Sequence, residues 1–208
     1  MANEEVYAGG LLNRALDPST QPAEIKAYLQ AEIDLLQALV AGGDMAVLDL
    51  GCGTGRHLAM LQARLKLGVG VDYEHSYLAA AAGQVRTQYL HFVTADATAV
   101  PLAFAFDLAI CMTNTWGTMS DKAGVLREMR RLSPRPRSRL LSVYSPASVP
   151  ARREWYRRLE QPVLEVTDEY ILTEAGFRSE HFSADRLRAL TGDCEIRPLA
   201  DIGYAVFV

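Results

Sequence analysis

The stretch Val47–Leu58, VLDLGCGTGRHL, decides the fold. An apolar run leads into three alternating glycines, Gly51, Gly53 and Gly55, and a carboxylate, Asp49, stands two positions before the first of them. Glycine at such positions permits positive φ and lets a ligand lie against bare backbone. A strand that turns through these glycines into a helix places the loop in the crevice at the carboxyl end of an open sheet. That is where α/β proteins bind ligands, and the first helical amides point into it.

Outward from this loop the chain alternates strand and helix. Before it, PAEIKAYLQAEIDLLQALV carries apolar residues at Ile25, Tyr28, Leu29, Ile33, Leu36 and Val40, the three-and-four spacing of an amphipathic helix, and Gly42 and Gly43 end it. MAVLDL reads as a buried strand and RHLAMLQARL as a helix. LGVGVD is a strand, SYLAAAAGQV a helix, LHFVTAD and FDLAICM strands, KAGVLREMRRL a helix and SRLLSVYS a fifth strand. Continuous apolar strands joined by short helical crossovers predict a parallel sheet covered on both faces, in an open doubly wound α/β fold. After Ser145 the rhythm changes. PARREWYRRLEQ is helical and polar, PVLEVTDEYILTEAGF alternates like paired strands, SADRLRALTG is a short helix capped by Ser183, and CEIRPL and YAVFV are closing strands.

Composition bounds the function. The chain has 208 residues, half of them hydrophobic and 22% charged, enough to bury a sizeable core in one domain. The net charge of −4 speaks against general nucleic-acid affinity, although ten arginines lie between Arg127 and Arg158. Cys52, Cys111 and Cys194 form no C-x-x-C pair and suit a reducing compartment without disulfide or zinc. The acidic start MANEEVYAGG does not read as a signal peptide, and no apolar run approaches the roughly 20 residues that span a bilayer. The expectation is a cytoplasmic protein, a monomer or homodimer, with no membrane and no nucleic-acid partner.

The loop itself spaces its glycines G-x-G-x-G. The dinucleotide pattern G-x-G-x-x-G requires a third glycine where this chain has Arg56. Asp49 suits a ligand ammonium better than a pyrophosphate. Asp72, 17 residues after Gly55, ends the second strand, where an acid accepts hydrogen bonds from a ribose diol. Asp96 ends the third and faces an exocyclic amine. Three carboxylates on successive strand ends, with no paired cation in sequence, describe a ligand with an amine, a diol and a purine. S-adenosylmethionine (SAM) has all three and no phosphate.

VLDLGCGTG, GVD, TADATAVPL and FDLAICM together resemble the successive motifs of class I SAM-dependent methyltransferases, over about Val47–Ser145. The resemblance implies a Rossmann-like fold with a mostly parallel seven-stranded sheet. It also implies an N-terminal lid (1–43), a SAM-binding core (44–145) and a substrate-side insertion with closing strands (146–208), all in one domain. The cofactor is then SAM and the product S-adenosylhomocysteine (SAH). By the resemblance Asp49 and Gly51 face the methionine end, Asp72 holds the ribose, Tyr73 packs beside the adenine, Asp96 with Ala97 reads it, and Cys52, Gly53, Gly55 and Thr113 complete the cofactor-binding set. The family's Pro-Gly-Gly turn before strand five is replaced by SPRPRSR, a change confined to a surface turn.

A sulfonium donor needs little acid–base assistance, because orienting two reactants supplies up to about 7–11 kcal/mol. The fourth strand runs into CMTNTWGTMSD, without the N/D-P-P-Y/F motif of nucleobase and amide methyltransferases of this fold, which favours a small-molecule acceptor. Candidates at the transfer site are Asn114, Tyr144 and His181, the last as a base near neutral pKa. Tyr7, Trp116, Arg152 and Arg153 are candidates for gripping the acceptor, the arginines through a carboxylate or phosphate. Asn114 as a helix cap and Trp116 as core filler are the competing reading for those two. The competing functions are an RNA methyltransferase using the arginine-rich 127–158 region, and a SAM-binding regulator that transfers nothing.

Overall fold

The computed structural model describes residue 3 and residues 10–84 and 87–208. Tyr7 lies outside the described residues. From Leu11 the described chain forms a short helix α1 (Leu11–Leu16) and the long α2 (Ala23–Leu39), which buries Ile25, Tyr28, Leu29 and Leu36. Then follow β1 (Met45–Leu50), α3 (Arg56–Leu61), β2 (Leu65–Asp72), α4 (His75–Gln84), β3 (Leu90–Thr94) and β4 (Leu108–Cys111). A 3₁₀ turn at Thr115–Thr118 leads to α5 (Lys122–Leu132) and β5 (Arg139–Tyr144). The α3 helix is shorter than its sequence suggests. Beyond Leu61 only Leu65 points inward, so Gln62–Arg64 tighten into a 3₁₀ turn and β2 begins two residues before the expected Leu67.

The strands form a seven-stranded sheet of order β3-β2-β1-β4-β5-β10-β9. The pairs among β1 to β5 are parallel, and β10 (Gly203–Phe207) runs antiparallel to both β5 and β9 (Glu195–Leu199). Neighbouring β1 residues Val47 and Leu48 feed two separate apolar cores, one on each side of the sheet, as a central strand covered on both faces requires. The first core gathers α2, α3 and α6 (Val149–Arg158); the second gathers α5 and α7 (Ala184–Thr191). The Ser183 hydroxyl accepts from the Arg186 amide at 3.2 Å and caps α7 as expected.

The crossover direction reverses between β1 and β4, so the crevice opens at the carboxyl ends of these two strands. Over it stands a second, antiparallel sheet of β6 (Val163–Val166), β7 (Tyr170–Thr173) and β8 (Arg178–Glu180). The sequence pattern indicated the β6–β7 pair. Strand β8, three residues long, is too short for an alternation to show. From the other side Leu12 of α1 lies over the glycine loop, and Asn3 reaches across to β8. The Asn3 side chain donates to the Thr118 and Arg178 carbonyls at 2.7 and 2.8 Å and accepts from the Arg178 amide at 2.7 Å. Asn3 and α1 thus line the crevice on this side.

Candidate active site

The crevice is one cleft of about 710 Å³. Its floor is the loop after β1. Gly51, Gly53 and Gly55 adopt φ of 70°, 52° and 71°, the left-handed region that L side chains avoid at a cost of about 1–2 kcal/mol. A Cβ on Gly51 would collide with the Thr115 methyl, and one on Gly53 would meet Leu12 Cδ2 at 2.5 Å. The loop is bare because its neighbours leave no room for side chains.

Asp72 lines the cleft at the end of β2. Its carboxylate accepts from the Gly53 amide at 2.8 Å and the Glu74 amide at 3.0 Å, which orients it and leaves each oxygen a further lone pair. Burial pushes its pKa up, against those two amides. Asp96, two residues beyond the end of β3, is held by the Thr98 amide and hydroxyl at 2.7 and 2.8 Å. Cys52, Tyr73, Ala97 and Thr113 also line the cleft; Tyr73 is 42% exposed at its rim. Burial and the nearby Asp49 carboxylate raise the thiol pKa of both Cys52 and Cys111 and keep them inert.

Asp49 is 1% exposed, and both its carboxylate oxygens lack a hydrogen-bond partner. His57 Nδ1 stands 3.6 Å from Asp49 Oδ2, and His57 Nε2 3.8 Å from Glu32 Oε2. Glu32, fully buried on α2, also accepts from the Thr113 amide (2.6 Å), the Thr113 hydroxyl (2.8 Å), Arg56 Nη2 (3.1 Å) and the Ser142 hydroxyl. Burial and Arg56 pull the His57 pKa down, but the two carboxylates outweigh them and hold it above the ordinary histidine value. Burial pushes Glu32 up, yet His57, Arg56 and Ser142 together hold it below the ordinary carboxylate value. Two acids and two bases are thus locked together beneath the glycine loop. The sequence reading missed Glu32 and gave Arg56 and His57 no role. One signal was available: Glu32 lies on the apolar stripe of α2, one turn from Tyr28 and from Leu36.

The transfer-site candidates separate. Asn114 and Tyr144 line the cleft. Asn114 sits at φ 56° beside Thr113 at φ 55°, two consecutive non-glycine residues in the left-handed region, a strain that persists only where the surroundings enforce it. Its side chain enforces it here: Nδ2 donates to the Ser179 hydroxyl and the Glu180 carbonyl, and Oδ1 accepts from the Tyr144 amide. It does not cap the following turn.

The other candidates stand away from the cleft. Trp116 is fully buried, stacked on Phe182 at 5.3 Å with its indole N–H on the Lys122 carbonyl, so it fills core. His181 is 2% exposed behind the wall; burial and the Arg152 guanidinium, 3.4 Å from its Nδ1, lower its pKa. Arg152 is fully buried, donating to the Ser179 carbonyl at 2.7 Å and lying over the Tyr144 ring, because it falls on the inward stripe of α6 with Ala151, Trp155 and Tyr156. Arg153 is exposed and not part of the wall. The aromatic wall that the sequence reading did not single out comes from Trp155, Tyr156 and Phe177.

Residues 47–134 match a family model described as a methyltransferase domain. No curated protein sequence matches the chain. Among solved structures, a 1,6-didemethyltoxoflavin-N1-methyltransferase from Burkholderia thailandensis, with its substrate and SAH bound, is similar. It has 20% identity, TM-score 0.63, and 99% of this chain and 88% of that one covered. A magnesium protoporphyrin IX methyltransferase from Synechocystis with bound SAH has 14% identity and TM-score 0.62, covering 96% and 93%. A SAM-dependent methyltransferase from Clostridium acetobutylicum has 14% identity and TM-score 0.61, covering 88% and 91%. Residues 47–134 thus match a methyltransferase domain, and the fold of the chain is shared with SAM-dependent methyltransferases. The bare cradle and the orphaned Asp49 carboxylate fit that donor, whose reactive sulfonium supplies the methyl group. No helix among the described residues is long and apolar enough to cross a membrane.

Proposed function

We propose that the protein methylates a nucleophilic nitrogen, oxygen or sulfur atom of a small molecule. The carrying observation is the shape of the cleft. Its volume of about 710 Å³ falls within the range of small-molecule sites. α1 closes one side, and the inserted elements close the other with Trp155, Tyr156, Leu159 and Phe177.

The chain's residues divide the work by position. Gly51 and Gly53 let the donor's backbone-facing edge approach, Asp49 receives its ammonium, Asp72 its ribose hydroxyls, and Asp96 with the Ala97 amide its adenine. Tyr144 and Asn114 border the space where donor and acceptor meet. No side chain is required to take a proton before transfer when the acceptor already carries a lone pair; enclosure and orientation supply the rate.

The arginine-rich region supports the same reading against an RNA substrate. Arg131, Arg135 and Arg137 pair with Glu128, Asp107 and Glu195; Arg157 and Arg158 both pair with Glu154. Arg139 donates to the Val208 and Ser133 carbonyls, and Arg152 is internal. Five of the ten arginines are thus committed to carboxylates, which weakens the region as a phosphate track. The test is incubation with SAM and a fractionated metabolite extract, read by mass spectrometry for the SAM-dependent gain of one methyl group. Such a gain in a small molecule is expected; methyl transfer to RNA or protein with none to any small molecule would overturn the proposal.

A further inference from the structure

Arg152 on α6 is a fully buried cation that pairs with no carboxylate among the described residues. Its donors meet only uncharged groups: the Ser179 carbonyl at 2.7 Å, the Tyr156 hydroxyl at 3.3 Å, His181 Nδ1 at 3.4 Å and the Ser148 hydroxyl at 3.5 Å. Its Nε has no partner. Arginine keeps its proton, and a buried charge without an opposite charge is destabilising. The guanidinium lies 4.8 Å from the centre of the Tyr144 ring and 5.7 Å from that of Tyr156. Both rings line the cleft, so the charge stands one aromatic ring behind its wall.

The same side of the cleft carries further positive charge. Arg178 of β8 lines it with 48% of its side chain exposed. Glu180, the acid beside it, is already held by Lys122 and Arg186 at 2.8 Å each and by Arg178 at 3.6 Å. On the far side of β1, at the ends of β2 and β3, the cleft is lined instead by Asp72 and Asp96. SAM is a net cation and suits that acidic half, which leaves the basic half to the acceptor.

From this we infer that the acceptor binds as an anion: a planar aromatic molecule with a carboxylate or an ionised hydroxyl, lying against Trp155, Tyr156 and Phe177. The inference rests on the acceptor being a small molecule. Flat aromatic faces give contact area to a ring of any charge; Arg152 selects the sign. It does not touch the acceptor. It is a positioning residue whose field crosses the Tyr144 and Tyr156 rings, unscreened because water is excluded around it.

Three probes of one shape separate charge from contact: 2-naphthoate, 2-naphthamide and 2-naphthylmethylamine, an anion, a neutral molecule and a cation at pH 7. Each is titrated calorimetrically into the SAH-loaded enzyme. The acid is expected to bind about tenfold more tightly than the amide, and the amine more weakly than either, the discrimination one buried charge gives across a ring. Arg152→Met is expected to bring the acid to the affinity of the amide and leave the amide unchanged; Arg152→Lys, which restores the charge, keeps the preference. An arginine of purely structural role would instead change all three affinities alike. The wild-type order tests the inference by itself if Arg152→Met does not fold. Equal binding of acid and amide by the wild type, a preference for the amine, binding of none of the three, or an acid preference that survives in folded Arg152→Met overturns it. The small-molecule reading fails separately: methyl transfer to a neutral or cationic small molecule overturns this inference and leaves that reading standing, whereas transfer to macromolecules alone overturns both.

Discussion

Glu32→Ala takes one side chain out of the buried cluster and leaves its partners in place. Arg56, the Ser142 hydroxyl and the Thr113 hydroxyl lose their common acceptor and His57 loses the carboxylate 3.8 Å from its Nε2, while the Thr113 amide keeps the Ser142 oxygen at 2.7 Å. Removing one member of a buried ion pair costs about 3–5 kcal/mol. Arg56 retains 22% exposure and can be partly rehydrated, so the lower end, about 3 kcal/mol, is expected. Urea unfolding reads it: with a slope of about 2–3 kcal/mol/M, the midpoint falls by about 1–1.5 M. Glu32→Gln keeps hydrogen bonds to Thr113 and Ser142 and should lose about half as much.

The pH dependence has a definite sign. The His57 pKa is raised in the fold, so its stabilisation is full below the unfolded value of 6.5 and is lost as pH rises through the folded value. The Glu32 pKa is lowered, so its stabilisation is full above 4.5 and is lost as pH falls through the folded value. Both slopes should flatten in Glu32→Ala. A midpoint shift below about 0.3 M, with slopes as in the wild type, would refute the claim that the cluster is held together by charge.

Two further substitutions probe the loop and the core. Gly53→Val places a branched side chain at φ 52°, where a Cβ already meets Leu12 at 2.5 Å; SAM binding should be abolished and circular dichroism should show the sheet intact, and normal binding would deny the loop its role as cradle. Trp116→Ala should cost about 3–5 kcal/mol in chemical denaturation, because the indole is fully buried against Phe182; a folded, stable variant with altered acceptor KM alone would return Trp116 to the cleft wall.

The sheet was legible because its strands are buried on both faces and read as unbroken apolar runs: MAVLDL and RLLSVY occur in the structure almost residue for residue. The acids at the strand ends were legible for the same reason, since a polar residue closing an apolar run marks where the strand meets solvent or ligand. The side chains that organise the space behind the cleft were not. Glu32 and Arg152 each sit on the inward stripe of an amphipathic helix, at positions a hydrophobic pattern fills with apolar residues. Their burial depends on partners 24 to 110 residues away, among them Arg56 and Ser142 for Glu32 and Ser179, 27 residues away, for Arg152. Local periodicity carries no information about those partners. A charged residue on an apolar stripe is nonetheless a readable sign. In both helices it marks the place where the core is built from paired polar groups. His181 and Trp116 were misplaced for the converse reason: loop position suggested access to the cleft, and packing against Arg152 and Phe182 removed it.

Binding of SAM to the wild type and to Asp72→Ala, measured side by side by titration calorimetry, tests the central claim most directly. Asp72 lines the cleft with its carboxylate fixed by the Gly53 and Glu74 amides. The wild type should bind SAM saturably at one site per chain. The variant should remain folded and bind about ten- to hundredfold more weakly, the loss of charge-assisted hydrogen bonds to the ribose. A wild type that does not bind SAM, or a folded Asp72→Ala that binds it as tightly, would contradict the account.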